Sequence, residues 1–133
     1  MEENRWPSSE EKAFRVLDTF FAALNAGDAK ALYQTINLPH VRIAGDGVAI
    51  YATLDDLERS YLRDFSSRAG PDWDHSVLDS KEVIHSSESK VHVFTQFTRF
   101  DKNGGEIATY KSLWIMTCVD GHWGVQARSS FAP

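Results

Sequence analysis

The sequence predicts an α+β fold, with three helices toward the N-terminus packed on a mostly antiparallel sheet of six strands. Apolar residues recur at helical spacing in the first half of the chain, and β-branched and aromatic residues alternate around clear turns in the last third. The chain has 133 residues, the size of one ordinary domain, and no repeat or linker divides it. We therefore expect a single domain over residues 1–133.

The first two helices are predicted from capping residues and an apolar stripe. Ser8 and Glu11 have the spacing of a capping box, which places the start of the first helix there. Gly27 is expected to end it, and Asp28 to cap a short second helix of about Ala29 to Thr35. The stripe of the first helix consists of Ala13, Val16, Leu17, Phe20, Phe21 and Leu24.

A β-hairpin is predicted where residues 40–44 and 48–51 flank the turn sequence Gly45-Asp46-Gly47. With Asp46-Gly47 at the turn, alternate residues fall on two sides of the hairpin. One side carries Val41, Ile43, Val48 and Ile50, and the other carries His40, Arg42 and Tyr51. The pattern leaves open which side faces the interior.

The third helix is predicted to begin at a second capping box, formed by Thr53 and Asp56. After a loop at residues 66–71, a strand is predicted from Trp73 to His85. Its alternation slips around Leu78-Asp79-Ser80, as a β-bulge would cause, so its facing stays open. The inner stripe of the third helix consists of Leu54, Leu57, Tyr61, Leu62 and Phe65.

The last third of the chain predicts three consecutive antiparallel strands, at Val91–Phe100, Ile107–Val119 and Trp123–Phe131. Counting back from a two-residue turn at Asp120-Gly121 and a four-residue loop at 102–105 gives their register, and directly opposed residues share a face. The resulting pairs are Val93 with Trp114, Thr95 with Ser112, Phe97 with Tyr110, Met116 with Val125, Trp114 with Ala127 and Ser112 with Ser129.

These pairs give the three strands an inner and an outer face. The outer face mixes apolar and polar side chains, a composition that indicates a subunit interface. The inner face carries Val91, Val93, Thr95, Phe97, Arg99, Tyr110, Ser112, Trp114, Met116, Cys118, Trp123, Val125, Ala127, Ser129 and Phe131. The outer face carries His92, Phe94, Gln96, Phe100, Lys111, Leu113, Ile115, Gln126 and Arg128.

Composition restricts the partners. The net charge is -5 and the pI is about 5.4, without a basic run, which opposes general binding to nucleic-acid backbones. No apolar run is long enough to span a membrane, and the start of the chain lacks the basic-then-apolar order of a signal peptide. We therefore expect a cytoplasmic protein with no nucleic-acid or membrane partner. Cys118, the one cysteine, is expected to be a core residue rather than a nucleophile.

Three stretches stand in a recognisable order: residues 20–28 with the sequence Phe-Phe-Ala-Ala-Leu-Asn-Ala-Gly-Asp, Gly45-Asp46-Gly47, and residues 120–125 with the sequence Asp-Gly-His-Trp-Gly-Val. With the order of the predicted elements, they resemble the nuclear transport factor two-like superfamily, and its SnoaL-like branch in particular. The resemblance implies a cone-shaped α+β roll, in which a strongly curved sheet wraps around the helices and encloses a pocket. It also implies a homodimer through the outer sheet face. This superfamily contains enzymes, ligand-binding proteins and interaction modules, so the fold does not choose the function.

The polar residues of the inner face lie toward the wide end of the predicted cone. Arg99 and Tyr110 are the leading candidates to hold the anionic or carbonyl group of a compact apolar or aromatic ligand. The alternative for Arg99 is that it reaches water from the end of its strand. The other candidate pocket residues are Ser112, Phe97, Thr95, Ser129 and Phe131 on the sheet and, near the mouth, His40, Arg42, Tyr51 and Trp73.

Catalysis is a second hypothesis. In ketosteroid-isomerase-like members of the superfamily, a carboxylate directly before a proline acts as the base, whereas this chain has Leu38-Pro39 there. Tyr110 with His40 or His75 would then do the acid–base work of a cofactor-free dehydratase, isomerase or polyketide cyclase. Asp74 is not expected to partner His75, because neighbours on a strand point to opposite faces.

The sequence lacks the motifs of metal binding, nucleotide binding and serine hydrolysis. The five histidines show no paired metal-ligand spacing, and the chain has no glycine-rich phosphate loop and no nucleophile elbow. We therefore expect no metal and no cofactor. Ligand binding without catalysis is the first hypothesis, and a third is an interaction module whose interior is filled by bulky side chains.

Overall fold

The computed structural model of the protein describes residues 5–133, which form three helices and six strands. The prediction that the chain starts without a signal peptide falls on residues 1–4, outside the described range. The helices are α1 (Pro7–Ala26), α2 (Ala29–Gln34) and α3 (Leu54–Ala69), and the strands are β1 (Ile36–Ala44), β2 (Gly47–Tyr51), β3 (His75–Ser86), β4 (Lys90–Phe100), β5 (Glu106–Val119) and β6 (His122–Ser130).

The strands form one curved sheet in the order β2-β1-β6-β5-β4-β3. All neighbours are antiparallel except β1 and β6, which pair in parallel and so bring the hairpin beside the end of the chain. The helices pack on the inner face of the sheet, where Leu17 and Phe20 of α1 and Tyr61 of α3 meet Trp114 and Met116 of β5 in one core. The predicted α+β roll is confirmed.

The two predicted capping boxes have different outcomes. The box at Thr53 is present: the Asp56 N–H donates to the Thr53 hydroxyl at 3.1 Å, and the Thr53 N–H donates to the Asp56 carboxylate at 3.3 Å. The box at Ser8 is wrong, since α1 begins one residue earlier at Pro7, behind an N-cap residue that makes no side-chain bond. Proline suits the first helical position because its missing N–H has no helical partner to lose.

Replacing each capping candidate with alanine tests this difference. Thr53→Ala is expected to lower the free energy of unfolding by about 1 kcal/mol, because it removes the acceptor for an N–H at the start of α3. Ser8→Ala is the matched control and should change it by less than about 0.5 kcal/mol. Urea unfolding followed by circular dichroism measures both. An equal loss in the two variants would contradict the assigned start of α1.

The predicted stripe of α3 is confirmed except at its first residue. Leu57, Tyr61 and Phe65 are buried, whereas Leu54 is 53% exposed because α3 meets the core only from its second turn. The helix also runs to Ala69, through the segment predicted to be a loop. Its last turn therefore lies beside the interior.

The hairpin turns its polar side inward. Val41 pairs with Ile50 and Ile43 with Val48, so the predicted grouping of side chains is confirmed, although the turn lies one residue earlier than predicted. The inward side carries the buried residues His40, Arg42 and Tyr51, and the outward side exposes Ile43, Val48 and Ile50. In β3 the predicted bulge between Leu78 and Ser80 is confirmed.

The register of the last three strands is as predicted up to a bulge in β6. Strands β4 and β5 pair as expected, with Phe97 opposite Tyr110, and β5 and β6 pair as expected up to Met116 with Val125. Beyond that point a bulge at Gln126 shifts β6 by one residue. Side chains after a bulge change faces, so the remainder of β6 presents the opposite set to the interior.

The bulge overturns the predicted pairs and faces of residues 127–131. Trp114 pairs with Arg128 rather than Ala127, and Ser112 pairs with Ser130 rather than Ser129. Arg128 is therefore an interior residue and not an outer one. The other predicted inner residues beyond the bulge are also wrong: Ser129 belongs to the outer face, and Phe131 is 82% exposed.

Candidate functional site

Four arginines from four different elements meet inside the roll. Arg42 comes from β1, Arg68 from the last turn of α3, Arg99 from β4 and Arg128 from β6. Register places Arg42 directly opposite Arg128. Burial lowers the pKa of Arg42, and the charges of the three other arginines lower it further. We call these four residues the arginine cluster.

Arg128 is a buried charge that packs on two aromatic rings. It is only 5% exposed, and its guanidinium lies 4.9 Å from the ring centre of Trp114 and 5.7 Å from that of Phe20. Its Nε finds no hydrogen-bond partner within residues 5–133, and none of the ion pairs there includes it. Burial accordingly lowers its pKa, because a low-dielectric interior penalises the charged form.

Arg99 and Tyr110 stand side by side, as predicted. The Arg99 guanidinium lies 5.2 Å from the Tyr110 ring centre and 5.5 Å from that of Phe65. Its Nη2 donates to the backbone oxygen of Pro133 at 2.9 Å. With 2% exposure Arg99 does not reach water, so the alternative reading is wrong, and burial lowers its pKa to about 10.

Arg42 is held by the end of the described chain. Its Nη2 donates to the backbone oxygen of Ala132 at 2.9 Å, and burial lowers its pKa to about 10. On the other side of the cluster, the Tyr51 hydroxyl donates to the Asp64 carboxylate at 2.7 Å. Burial, followed by that bond, raises the pKa of Tyr51 to about 12. The Asp64 carboxylate beside the cluster therefore already has a partner.

His40 lies on the floor of this region and is completely buried. Its Nδ1 lies 3.2 Å from the Val125 carbonyl oxygen, so this nitrogen carries the proton and donates it. Its Nε2 has no partner among the described residues, and neither does the hydroxyl of neighbouring Tyr61, whose ring centre is 5.9 Å away. Burial, aided by the charge of Arg128, lowers the pKa of His40 to about 4.

This lowered pKa makes stability depend on pH. Between pH 6.5 and 4 the unfolded chain binds a proton at His40, whereas the native state does not. The free energy of unfolding should therefore fall by about 3 kcal/mol as the pH drops through that window. NMR titration of the imidazole and urea unfolding at pH 7 and pH 4 measure it. His40→Gln should flatten the dependence. A His40 pKa near 6.5 would contradict the burial.

A pocket of about 290 Å³ opens to the surface beside Arg42 and Arg68, two members of the cluster. It lies between the hairpin and α3 and is lined by Arg42, Arg68, Asp64, Ser67 and residues 46–49. Its volume is close to the lower end of the ~300–1,000 Å³ range of small-molecule sites. A separate hollow of about 520 Å³ lies on the outer sheet face, lined among others by Phe94, Leu113, Ser129 and Phe131.

Several predicted pocket residues belong to the wall rather than the site. The hydroxyls of Thr95 and Ser112 lie 2.6 Å apart, and the Trp114 indole N–H donates to Ser112 at 2.8 Å, so both hydroxyls already have partners. Phe97 packs on Phe21 with ring centres 5.8 Å apart. Trp73 precedes β3 and packs edge-on against Phe65, with the two ring centres 5.0 Å apart.

His75 does not reach the site. It pairs with Phe100 on the outer face and stacks on that ring at 5.1 Å, with an interplanar angle of 7°. The structure therefore places His75 and Tyr110 on opposite sides of the sheet. The expectation about Asp74 is also wrong: its carboxylate lies 2.8 Å from Nδ1 of His75, because Asp74 precedes β3 and is free of the strand's alternation.

Sequence reasoning missed half of the cluster. Arg128 was missed because nothing in the sequence of residues 126–130, Gln-Ala-Arg-Ser-Ser, marks a bulge. Arg68 had a signal, since Tyr61, Phe65 and Arg68 follow the spacing i, i+4 and i+7 of one helix face. Continuing the helix through residues 66–69 would have found it.

Residues 5–133 contain neither a group of metal ligands nor a membrane-spanning helix. In that range no three His, Cys, Asp or Glu side chains are grouped so that they could hold a metal ion. No helix there combines the length and apolarity needed to cross a bilayer. The predicted homodimer stays a prediction, with Phe94 exposed on the outer face that would form it.

Comparison with known proteins reveals the fold. No family model matches the chain, and no curated protein matches its sequence. A solved cystatin-like-fold protein of unknown function from Nostoc punctiforme superposes with a TM-score of 0.75 at 8% identity, covering 93% of this chain and 90% of that one. An NTF2-like protein of unknown function from Shewanella oneidensis gives 0.71 at 16% identity, covering 92% and 98%.

A third solved structure, a ketosteroid isomerase-like protein from Erwinia carotovora atroseptica, gives a TM-score of 0.66 at 20% identity, with 90% and 92% of the two chains covered. At such identities the likeness concerns the fold. The fold is that of nuclear transport factor two-like proteins, as the sequence predicted. The SnoaL-like branch stays a prediction.

Proposed function

We propose that this chain, with its nuclear transport factor two-like fold, binds a compact apolar or aromatic small molecule and holds its anionic group at the arginine cluster. The observation that carries the proposal is the buried guanidinium of Arg128, which has no carboxylate partner in the described part of the chain. An unpaired buried ion costs several kcal/mol, and an anion from outside the chain offsets that cost.

The walls around the cluster favour an aromatic or apolar ligand body. The rings of Phe65, Phe97 and Tyr110 surround the Arg99 guanidinium at 5.2–5.9 Å. Aromatic faces pack against planar ligands, and arginine forms bidentate bonds with carboxylates and phosphates. Tyr110 thus contacts the aromatic part of the ligand, and Arg99 contacts its anionic group.

Benzoate is a suitable probe, because it joins an aromatic ring to one carboxylate. We expect calorimetry to detect its binding and both Arg99→Met and Tyr110→Phe to weaken it, by about tenfold for the arginine since a charge-assisted bond contributes ~1.5–3 kcal/mol. Arg15→Met, at an exposed arginine paired with Glu11 on α1, is the matched control and should leave affinity unchanged. Unchanged affinity in both site variants would contradict the proposal.

A second candidate function is acid–base catalysis without a cofactor. The observation that favours it is His40, whose buried Nε2 has a free lone pair and whose pKa of about 4 keeps the ring neutral at pH 7. A neutral imidazole accepts a proton from a substrate, and a neighbouring arginine stabilises the developing oxyanion. A basic nitrogen with so low a pKa is a weak base, so binding stays the leading proposal.

Chemical analysis of a bound compound separates the two functions. A compound that stays intact through long incubation with the wild-type protein supports binding alone. Turnover that disappears in His40→Gln, with binding retained, supports the enzyme. If no aromatic anion binds at all, an interaction module without a ligand becomes the better explanation.

A further inference from the structure

We infer that the anionic group of the ligand is doubly charged, as in a phosphate monoester or a pair of neighbouring carboxylates. This deepens the proposed function and rests on it. The four arginines of the cluster differ in how many hydrogen-bond acceptors the described chain offers them.

Two of the four arginines are partly satisfied by the chain. Nη2 of Arg42 donates to Ala132 and Nη2 of Arg99 donates to Pro133, each at 2.9 Å. These two side chains are thereby oriented, and the buried Nε of each has no partner among the described residues. They frame the site, and each already gives one bond to the chain.

The other two arginines have capacity to spare. Nε and Nη2 of Arg68 are buried without acceptors among the described residues, and so is Nε of Arg128. Neither side chain belongs to an ion pair in that part of the chain. Asp64, the carboxylate nearest to them along α3, already accepts bonds from Tyr51 and Arg63.

Geometry then favours two negative charges over one. A single carboxylate has two oxygens and matches one guanidinium fork, whereas Arg68 and Arg128 approach from a helix and from a strand. A phosphate monoester has three terminal oxygens and nearly two charges at neutral pH, enough for both forks. The charges of Arg42, Arg68 and Arg128 repel one another, and a dianion compensates that repulsion better than a monoanion.

The pocket gives such a group a route. Arg42 and Arg68 both line the opening of about 290 Å³, together with Gly47, Ser67 and the acidic residues Asp46 and Asp64. A small charged group entering here meets Arg68 first.

Phenyl phosphate and benzoate test the inference, because they share a ring and differ in charge. At pH 8 phenyl phosphate is fully dianionic, since its second pKa is about 6. By calorimetry it should bind the full chain at least about tenfold more tightly than benzoate. Phthalate, with two carboxylates on the same ring, distinguishes a dicarboxylate from a phosphate ligand.

Variants of α3 assign the effect to Arg68. Arg68→Met should weaken phenyl phosphate by about tenfold and benzoate by less than about threefold. Arg59→Met, which removes an exposed arginine from the same helix, is the matched control and should change neither. Circular dichroism verifies that both variants fold.

The outcomes separate the two proposals. Equal affinity for benzoate and phenyl phosphate, or an equal loss of both in Arg68→Met, overturns the dianion and leaves the proposed function standing. Binding of neither compound overturns both. Inorganic phosphate that binds as tightly as phenyl phosphate supports the dianion and contradicts the aromatic part of the proposed function.

Discussion

Replacing Arg128 with methionine is expected to raise the free energy of unfolding of the ligand-free protein by about 2 kcal/mol. The reason is the isolation of this charge, which is buried beside other arginines and has an Nε without a partner in the described residues. Its contacts with Trp114 and Phe20 act in the opposite direction, with about 2 kcal/mol for a desolvated cation–π pair. The desolvation of the ion is several kcal/mol and should be the larger effect.

Urea unfolding in a buffer without multivalent anions measures this change. The same experiment with phenyl phosphate present measures how much the bound ligand stabilises the native state. A ligand at one hundred times its Kd stabilises the native state by about 2.7 kcal/mol, and Arg128→Met should lose most of that gain. Arg15→Met, at an exposed position, should alter neither quantity. A variant clearly less stable than the wild type would mean that the aromatic contacts outweigh the unpaired charge.

Replacing Trp114 with alanine is expected to lower the free energy of unfolding by about 4 kcal/mol, within the ~3–5 kcal/mol range for buried aromatic residues. Its side chain is fully buried and lies between Phe20 and Phe21, whose ring centres are 5.0 and 5.9 Å away. The variant also loses the bond from the indole N–H to Ser112 and the ring beneath Arg128. Core packing and site geometry therefore depend on the same residue.

Trp114→Phe separates these two roles. It keeps an aromatic ring but loses the indole N–H, so the loss of stability should be about 1–2 kcal/mol. Trp6→Ala, at an exposed residue that contributes its backbone to the start of α1, is the control and should cost less than about 1 kcal/mol. A loss below about 1 kcal/mol in Trp114→Ala would contradict the position of this side chain at the centre of the core.

Much of the fold follows from local patterns. The pairs Phe97 with Tyr110 and Met116 with Val125 were predicted because the register can be counted, residue by residue, from the short connection between the paired strands. The stripe of α1 was predicted because its spacing allows one buried face. In both cases the residues that determine the structure lie in the same element or in the next one. A short stretch of sequence therefore contains the whole pattern.

The candidate site was predicted only in part, for the opposite reason. Arg99 and Tyr110 precede the bulge and were paired from the turn, whereas Arg128 follows the bulge at Gln126. That extra residue bridges β5 and β1: its amide accepts from Thr117 at 2.9 Å and donates to the carbonyl of Pro39. No pattern within β6 contains those partners.

By itself the sequence determined the class of the fold, the order of its elements, the two faces of β4 and β5, and an interior with one arginine beside one tyrosine. Only the tertiary structure decided that the hairpin turns Arg42 and His40 inward, and that β1 lies parallel to β6 with Arg42 opposite Arg128. Periodicity states which side chains share a face. Which face is buried depends on the surface that another element presents, and that contact joins residues far apart in the chain.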